Sequence, residues 1–302
     1  MQQDDLPVQP HRMPRMSMLN RIRSSRTLRA PLLAVARRLL RPLYGGSKLL
    51  RRAAYDSMPV PYLVTGSHEQ FVVSTADKVI GRELFLHGEF DFSKLQVALA
   101  ILARRPMPTP THLIDVGANI GTITIPALKR GLMRTATAIE PHPDNLRLLR
   151  ANLALNGIED RVAVLAQAVG DRTDTTLLLR ESATNSGNHA IGQDGIPVRS
   201  TLLDDLSFPS DSLLWMDIEG YEGHALKGAE RLLATGIAVV CEFNPSFLIR
   251  SDGMAAFYQA LEGKIIYDLQ SEDHVPSTLD AIADKLPLRP RHLQWTDILA
   301  IP

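Results

Sequence analysis

A chain of 302 residues with 45% hydrophobic side chains has the composition of an ordinary globular protein, so we expect a sizeable core. Its one cysteine, Cys241, excludes an intramolecular disulfide and any cysteine-based metal site, which fits a reducing compartment. The formal net charge is zero. However, residues 1–54 carry eleven arginines and one lysine against two aspartates, which gives +10 there and −10 on the other 248 residues.

The basic segment predicts an arm. Over residues 30–43 the leucines gather on one side of a predicted helix and the arginines lie toward the other, which is typical of a helix on an anionic membrane or an acidic partner. A disordered basic tail and an organelle transit peptide are the alternatives. No aromatic residue interleaves the arginines between Arg12 and Arg41, so nucleic acid is not a predicted partner. No apolar run approaches the roughly 20 residues that cross a bilayer.

These features divide the chain into an arm, residues 1–58, partly helical or disordered, and a folded domain, residues 59–302. We expect a cytoplasmic protein, with peripheral contact to the inner face of a membrane as an option for the arm. The oligomeric state is left open.

The folded domain is predicted to begin with a short β-hairpin, whose strands cover residues 70–74 and 82–86, and a helix over residues 93–104. After it, apolar strands alternate with helices. Seven strands are predicted, over residues 112–116, 135–140, 162–169, 213–218, 238–243, 264–269 and 297–301. The helices between them cover residues 122–131, 144–157, 223–236 and 254–263. This alternation predicts an α/β fold with a seven-stranded, mostly parallel, doubly wound sheet.

Acidic residues follow several of these strands. Ligands of an open α/β sheet bind at the carboxyl ends of the strands, and a buried carboxylate without a partner is unfavourable. We therefore interpret the acids at the strand ends as parts of a binding site.

The loop after the first strand of the sheet carries Gly117 and Gly121, which permit a tight turn and close approach of a ligand. Glu140 ends the next strand, where a carboxylate can accept hydrogen bonds from both hydroxyls of a ribose. These features suit a nicotinamide or an S-adenosylmethionine enzyme. The spacing G-x-x-x-G departs from the dinucleotide fingerprint G-x-G-x-x-G. Asp115 before the loop would repel a pyrophosphate but suits a sulfonium and an amino group, so S-adenosylmethionine is favoured.

Five blocks occur in order: DVGANIGTITI, AIEPHPDNLRLLRANLALNG, AQAVGD, MDIEGYEGHALKGAERLL and VVCEFNP. In these blocks the sequence resembles the FkbM family of S-adenosylmethionine-dependent methyltransferases, over roughly residues 70–302. The resemblance implies a Rossmann-like class I methyltransferase fold and methylation of a hydroxyl group on a carbohydrate, glycolipid or natural product. It also implies that the loop after the first strand holds the methionine part of the cofactor, Glu140 the ribose, and two residues of the third strand the adenine. The cofactor-binding positions carried over are Asp115, Gly117, Asn119, Gly121, Glu140, Ala168, Val169 and Asp217.

The D-x-E-G-x-E block supplies the catalytic candidates. Asp217 and Glu219 could remove the proton of the acceptor hydroxyl or ligate Mg²⁺, although capping and turn roles are the alternatives and a metal is not predicted. His189, in the loop over residues 183–192, is the third candidate. Glu242 and Asn244 could face the acceptor or simply end their strand. Met216 stands where the family usually has lysine, which leaves the acceptor open.

Two other functions are considered. A non-catalytic nucleoside-binding module would keep the fold and the cofactor site but not the chemistry. An NAD-dependent oxidoreductase is disfavoured by the loop spacing and by Asp115.

Overall fold

The computed structural model describes residues 48–288 and 294–302, together with positions 31, 34, 35 and 38. Most of the arm, including most of its predicted amphipathic helix, lies outside the described residues. Contacts divide the chain into two compact units, Met1–Ala54 and Tyr55–Pro302. Within the described part of the chain, no helix is both long and apolar enough to cross a membrane.

The second unit contains short helices and strands in alternation. The strands are β1 Tyr62–Thr65, β2 Phe71–Ser74, β3 His112–Val116, β4 Thr135–Ile139, β5 Val162–Leu165, β6 Ala168–Val169, β7 Thr176–Arg180, β8 Ala190–Gly192, β9 Ile196–Thr201, β10 Ser212–Met216, β11 Ala238–Phe243, β12 Ile265–Asp268, β13 Pro276–Ser277 and β14 Thr296–Ile301. The helices, counted from one that crosses the division between the units, are α1 Lys48–Asp56, α2 Ile80–His87, α3 Phe92–Leu102, α4 Thr124–Lys129, α5 Pro143–Asn156, α6 Glu222–Lys227, α7 Glu230–Ala234, α8 Pro245–Arg250, α9 Met254–Ala260 and α10 Leu279–Lys285.

The main sheet has the strand order β13-β12-β14-β11-β10-β3-β4-β5. The five strands from β11 to β5 are parallel, and β14 pairs antiparallel with both β11 and β12. All seven predicted strands contribute to this sheet, and the two-residue β13 makes it eight-stranded rather than seven-stranded. The chain runs outward from β3 to β5 on one side and from β10 to β11 on the other. The strand order therefore reverses between β3 and β10, which is where an open α/β sheet binds its ligands.

Both faces of the main sheet are buried. In β3, Leu113 packs into one hydrophobic cluster and Ile114 into the other, and Leu213 and Leu214 of β10 divide in the same way. Because successive residues of a strand point to opposite faces, this division places one core on each side of the sheet. Cys241 is buried in β11, as expected for a small core residue.

The N-terminal hairpin is present, but one of its predicted strands is wrong. β2 pairs with β1, not with residues 82–86, which lie in α2. The helix forms because Ile80 and Leu84 bury one face at a spacing of four residues, and Gly88 ends it in the left-handed conformation at φ 84°.

Two other predicted elements are divided. Residues 162–169 form β5 in the main sheet and β6 in a second sheet. Residues 223–236 form α6 and α7, separated at Gly228. A Cβ atom on Gly228 would lie 2.1 Å from the carbonyl oxygen of Gly170, so the break brings the two backbones together.

The second sheet, of order β6-β9-β7-β8, was not predicted. Its strands are short and only partly buried, so they lack the apolar runs that mark the main sheet. The segment between β7 and β8, residues 181–189, is called the covering loop below, because several of its residues line the cavity described next.

Candidate functional site

A cavity of about 290 Å³ lies where the main sheet reverses its strand order. Its wall includes Gly117 after β3, Glu140 after β4, Asp217 after β10 and Asn244 after β11. The cavity therefore opens at the carboxyl ends of four neighbouring parallel strands.

The turn after β3 brings two strand ends close together. Gly117 has φ 85°, and a Cβ atom there would lie 2.0 Å from the backbone oxygen of Asp217. Any side chain at this position would displace Asp217, the residue that follows β10. Asn119 also adopts a left-handed conformation, at φ 51°, and it lines the cavity.

Glu140 holds a buried carboxylate at the cavity wall. Its Oε2 accepts the backbone N–H of Asn119 at 2.8 Å, and its Oε1 accepts that of His142 at 2.8 Å. The side-chain amide of Asn145 donates to Oε1 at 3.5 Å. Burial raises the pKa of Glu140 to about 7, while the hydrogen bonds act in the opposite direction. Each oxygen keeps lone-pair capacity for a further donor.

The surface next to Glu140 is apolar. Ala168 and Val169, the two residues predicted to line the adenine, belong to the cavity wall with Ile139 and Leu179. The region combines a carboxylate that accepts hydrogen bonds with an apolar patch, which suits a nucleoside.

Two of the predicted cofactor residues are not among those that line the cavity. Asp115 is 1% exposed, and its carboxylate accepts a hydrogen bond from the hydroxyl of Thr124 near the start of α4. Burial raises its pKa to about 6. A Cβ atom on Gly121 would meet Ile125 and Leu149, so this glycine permits packing beneath the loop. Both residues shape the loop from behind, whereas Gly117 and Asn119 face the cavity.

The covering loop closes one side of the cavity. The carbonyl oxygen of Ser186 accepts hydrogen bonds from the side-chain amides of Asn119 at 2.7 Å and Asn145 at 3.1 Å. The Ser186 hydroxyl donates to Asp77 at 2.5 Å. Thus the loop is fixed to the same two asparagines that surround Glu140.

His189 belongs to the Glu140 end of the cavity. Its ring stacks on His142, with 4.1 Å between centroids, and its Nδ1 accepts the backbone N–H of Ser182 at 3.0 Å. Burial, and then the neighbouring His142, lowers the pKa of His189 to about 4. The neutral ring therefore carries its proton on Nε2 and has no lone pair free for another proton.

Three carboxylates converge at the other end of the cavity: Asp217, Glu222 at the start of α6 and Glu242 in β11. One oxygen from each lies within 4.8 Å of the others, and we call this group the acidic trio. Glu222 Oε1 accepts the backbone N–H of Ile218 at 2.9 Å. Burial raises the pKa of all three carboxyl groups, and the charge of Asp217 raises those of Glu222 and Glu242 further.

Glu219 lines the cavity beside the trio. It adopts φ 55°, which is unusual for a residue with a side chain, and this conformation directs the chain from β10 into α6. Burial, and then the charge of Asp217, raises the pKa of Glu219 to about 9.

Sequence reasoning missed a lysine at this end. Lys94 of α3 forms ion pairs with Asp297 at 2.6 Å and Asp91 at 3.0 Å, and its ammonium lies 4.7 Å from the ring centroid of Trp295. Its charge also acts on Asp217. Met216, the residue that stands in place of the family's usual lysine, is buried in the core. The sequence around a single lysine on a predicted helix does not indicate that the lysine will lie near strand residues more than 100 positions further along the chain.

Comparison with known proteins agrees with the family indicated by the sequence blocks. Residues 115–257, slightly less than half of the chain, match the model of the methyltransferase FkbM domain. A cobalt-precorrin-6B C(15)-methyltransferase (decarboxylating) of Salmonella typhimurium is 41% identical over 71 residues, which cover 23% of this chain and 37% of that protein. The match therefore spans little more than a third of that relative's length.

Solved structures of low sequence identity are also similar. A methyltransferase FkbM from Methylobacillus flagellatus is 17% identical, with a TM-score of 0.43 over 66% of this chain and 45% of the other. A precorrin-6y C5,15-methyltransferase from Geobacter metallireducens is 15% identical, with a TM-score of 0.35 over 68% of this chain and 87% of the other.

Proposed function

Because residues 115–257 of this chain match the model of the methyltransferase FkbM domain, we propose that the protein transfers a methyl group from S-adenosylmethionine to a hydroxyl oxygen. A carbohydrate, glycolipid or natural product is the proposed acceptor, on the basis of the family resemblance. The proposal rests on one observation: a single cavity has acidic residues at both ends, and at one end they lie beside an apolar patch. Glu140 and the apolar patch lie at one end, and Asp217 with Glu219 lie at the other.

The described residues fit the cofactor. Glu140 already accepts one backbone N–H on each carboxylate oxygen, so its position is fixed before any ligand arrives. Its remaining lone pairs can accept the two ribose hydroxyls, and Ala168 and Val169 would then contact the adenine. Gly117 and Asn119 would bind the methionine part next to Asp217.

S-adenosylmethionine, when bound, supplies a methyl group on a positively charged sulfur. Bound there, the cofactor would supply this methyl group to the acceptor oxygen and would leave as S-adenosylhomocysteine. The hydroxyl proton passes to a carboxylate of the protein. Asp217 and Glu219 are the groups we assign to this step, because both line the cavity at the end of β10. His189 is not proposed as the base, since its Nδ1 is already occupied by a hydrogen bond.

The covering loop shields the transfer from water. Its hydrogen bonds from Ser186 to Asn119 and Asn145 are made by the residues that hold Glu140, so cofactor binding and closure of the loop involve the same side chains. Exclusion of water also strengthens the electrostatic interactions inside the cavity.

Two measurements test the proposal. Titration calorimetry with S-adenosylhomocysteine should show binding to one site per chain. Mass spectrometry should then find a methylated glycan or lipid product after incubation with S-adenosylmethionine. Binding without a product from any acceptor fraction would support the non-catalytic module instead. Tight binding of NADH in place of S-adenosylhomocysteine would contradict the proposal.

A further inference from the structure

Two carboxylate oxygens of the acidic trio lack a hydrogen-bond partner among the described residues. Oε2 of Glu222 and Oε2 of Glu242 are buried and have no hydrogen-bond partner in the described part of the chain. Glu222 is 1% exposed and Glu242 is 7% exposed, so water outside the protein does not satisfy them. A buried carboxylate oxygen without a partner is strongly unfavourable, and two such oxygens in one cluster of carboxylates indicate that a ligand belongs there.

No positively charged side chain of the described residues takes the place of that ligand. None of the three carboxylates forms an ion pair within 4.0 Å with a described lysine, arginine or histidine. Lys94, whose charge acts on Asp217, is already paired with Asp91 and Asp297. A proton shared directly between Glu222 and Glu242 is also unsupported, since neither Oε2 has a hydrogen-bond partner among the described residues.

We propose that Asp217, Glu222 and Glu242 bind a hard divalent cation such as Mg²⁺ or Mn²⁺. Three oxygens from different carboxylates, all within 4.8 Å of one another, can ligate one such ion. The absence of sulfur and imidazole ligands disfavours zinc and copper. Asp217 and Glu242 also line the cavity, so the remaining coordination positions face the space where the acceptor would lie.

The role of this ion rests on the proposed function, whereas its binding does not. A hydroxyl oxygen that binds the cation loses its proton more readily, and the ion would orient that oxygen toward the transferred methyl group. The acceptor class that follows is one with two neighbouring oxygens, such as a sugar diol, because a second oxygen can occupy another coordination position.

The test measures cation binding in the absence of any cofactor. The purified full chain, treated with EDTA and then freed of it, is titrated with Mn²⁺ while free Mn²⁺ is followed by electron paramagnetic resonance. We expect one ion per chain, and we expect Glu242→Gln and Glu222→Gln each to weaken binding by at least about tenfold, because each removes one ligand charge. Glu230→Gln is the matched control, since Glu230 is exposed on α7 and lies outside the trio.

Thermal unfolding separates binding from folding. Mn²⁺ should raise the unfolding temperature of the unmodified chain and of the Glu230→Gln variant, but not that of Glu242→Gln, because only a bound ligand stabilises the fold. If Glu222→Gln does not fold, Glu242→Gln carries the test alone. Failure of the folded chain to bind Mn²⁺ or Mg²⁺ would overturn the inference, as would unchanged affinity in Glu242→Gln. Binding of S-adenosylhomocysteine, measured separately, decides the proposed function independently of this result.

Discussion

Replacement of Glu140 by glutamine tests the cofactor site most directly. Both carboxylate oxygens accept a backbone N–H at 2.8 Å, from Asn119 and His142. A glutamine offers one oxygen and one NH₂ group, so one of those backbone donors must face another donor. The NH₂ group also cannot accept a ribose hydroxyl.

The expected loss follows from these contacts. A hydrogen bond to a charged group contributes about 1.5–3 kcal/mol, and the variant loses one such bond and weakens the other. Glu140→Gln should therefore weaken S-adenosylhomocysteine binding by about 2–3 kcal/mol, which is about 30- to 150-fold in Kd. Titration calorimetry at pH 8 measures this with the carboxylate ionised, since its pKa in the free protein is about 7.

The pH dependence gives a second signature. Binding to the ribose hydroxyls favours the ionised carboxylate, so the affinity of the unmodified chain should fall as the pH drops below about 7, by up to about tenfold per pH unit. The affinity of the Glu140→Gln variant should not show this fall below about pH 7, whereas the affinity of Glu230→Gln should show it. A folded Glu140→Gln variant with a Kd within about twofold of the unmodified value would refute the assignment of Glu140 to the ribose.

Four further outcomes are expected. Burial raises the pKa of Glu140 in the folded state, so the unmodified chain should become less stable, compared with Glu140→Gln, as the pH rises from about 4.5 to about 7. Urea unfolding should show a loss of at most about 3 kcal/mol in the free energy of unfolding. Asp115→Asn should weaken S-adenosylhomocysteine binding less than Glu140→Gln does, because the Asp115 carboxylate does not line the cavity; an equal or larger loss in calorimetry would show that its charge acts directly. Gly117→Ala should lower the free energy of unfolding by at least about 2 kcal/mol more than Gly131→Ala does. Both glycines have positive φ, but only a Cβ atom on Gly117 would contact the backbone of another residue, Asp217. Similar unfolding temperatures of the two variants would contradict this close approach. A chain lacking residues 1–54 should bind S-adenosylhomocysteine normally but sediment less with anionic vesicles than the full chain; equal sedimentation would exclude the arm as a membrane contact.

The main sheet was predictable because its strands are apolar on both faces. β3 and β10 are buried along their whole length, and such runs are visible in a single sequence. The strands of the second sheet alternate weakly between partly buried and exposed positions, so residues 183–192 could not be distinguished from a loop. Residues 82–86 were misassigned because a run of only five residues with two leucines and one phenylalanine fits a strand or a helix, and here tertiary packing of Leu84 favours the helix.

The site divides in a similar way. Glu140 and Asp217 were found because they follow strands, and that position alone determines which edge of the sheet they occupy. The place of His189 depends on the path of the covering loop, which no local pattern encodes. Lys94 and Trp295 lie on either side of the sequence blocks, so only the assembled fold brings Trp295 to the cavity wall and the charge of Lys94 near Asp217.

The buried carboxylates at the two ends of the cavity differ in their hydrogen-bond partners. At Glu140, a backbone N–H group donates to each carboxylate oxygen, and these hydrogen bonds favour the ionised form, so the carboxylate can bind hydroxyl groups without a cation. At the trio, two carboxylate oxygens have no donor among the described residues, so a cation or a proton must come from elsewhere. A sequence shows the same residue type at both ends, because Glu140 and Glu242 each end or nearly end an apolar strand. The difference lies in the turn that follows: after β4 it directs N–H groups back at the carboxylate, whereas after β11 Asn244 instead caps α8. This contrast is the reason to expect a neutral, hydrogen-bonding ligand group at one end and a cation at the other.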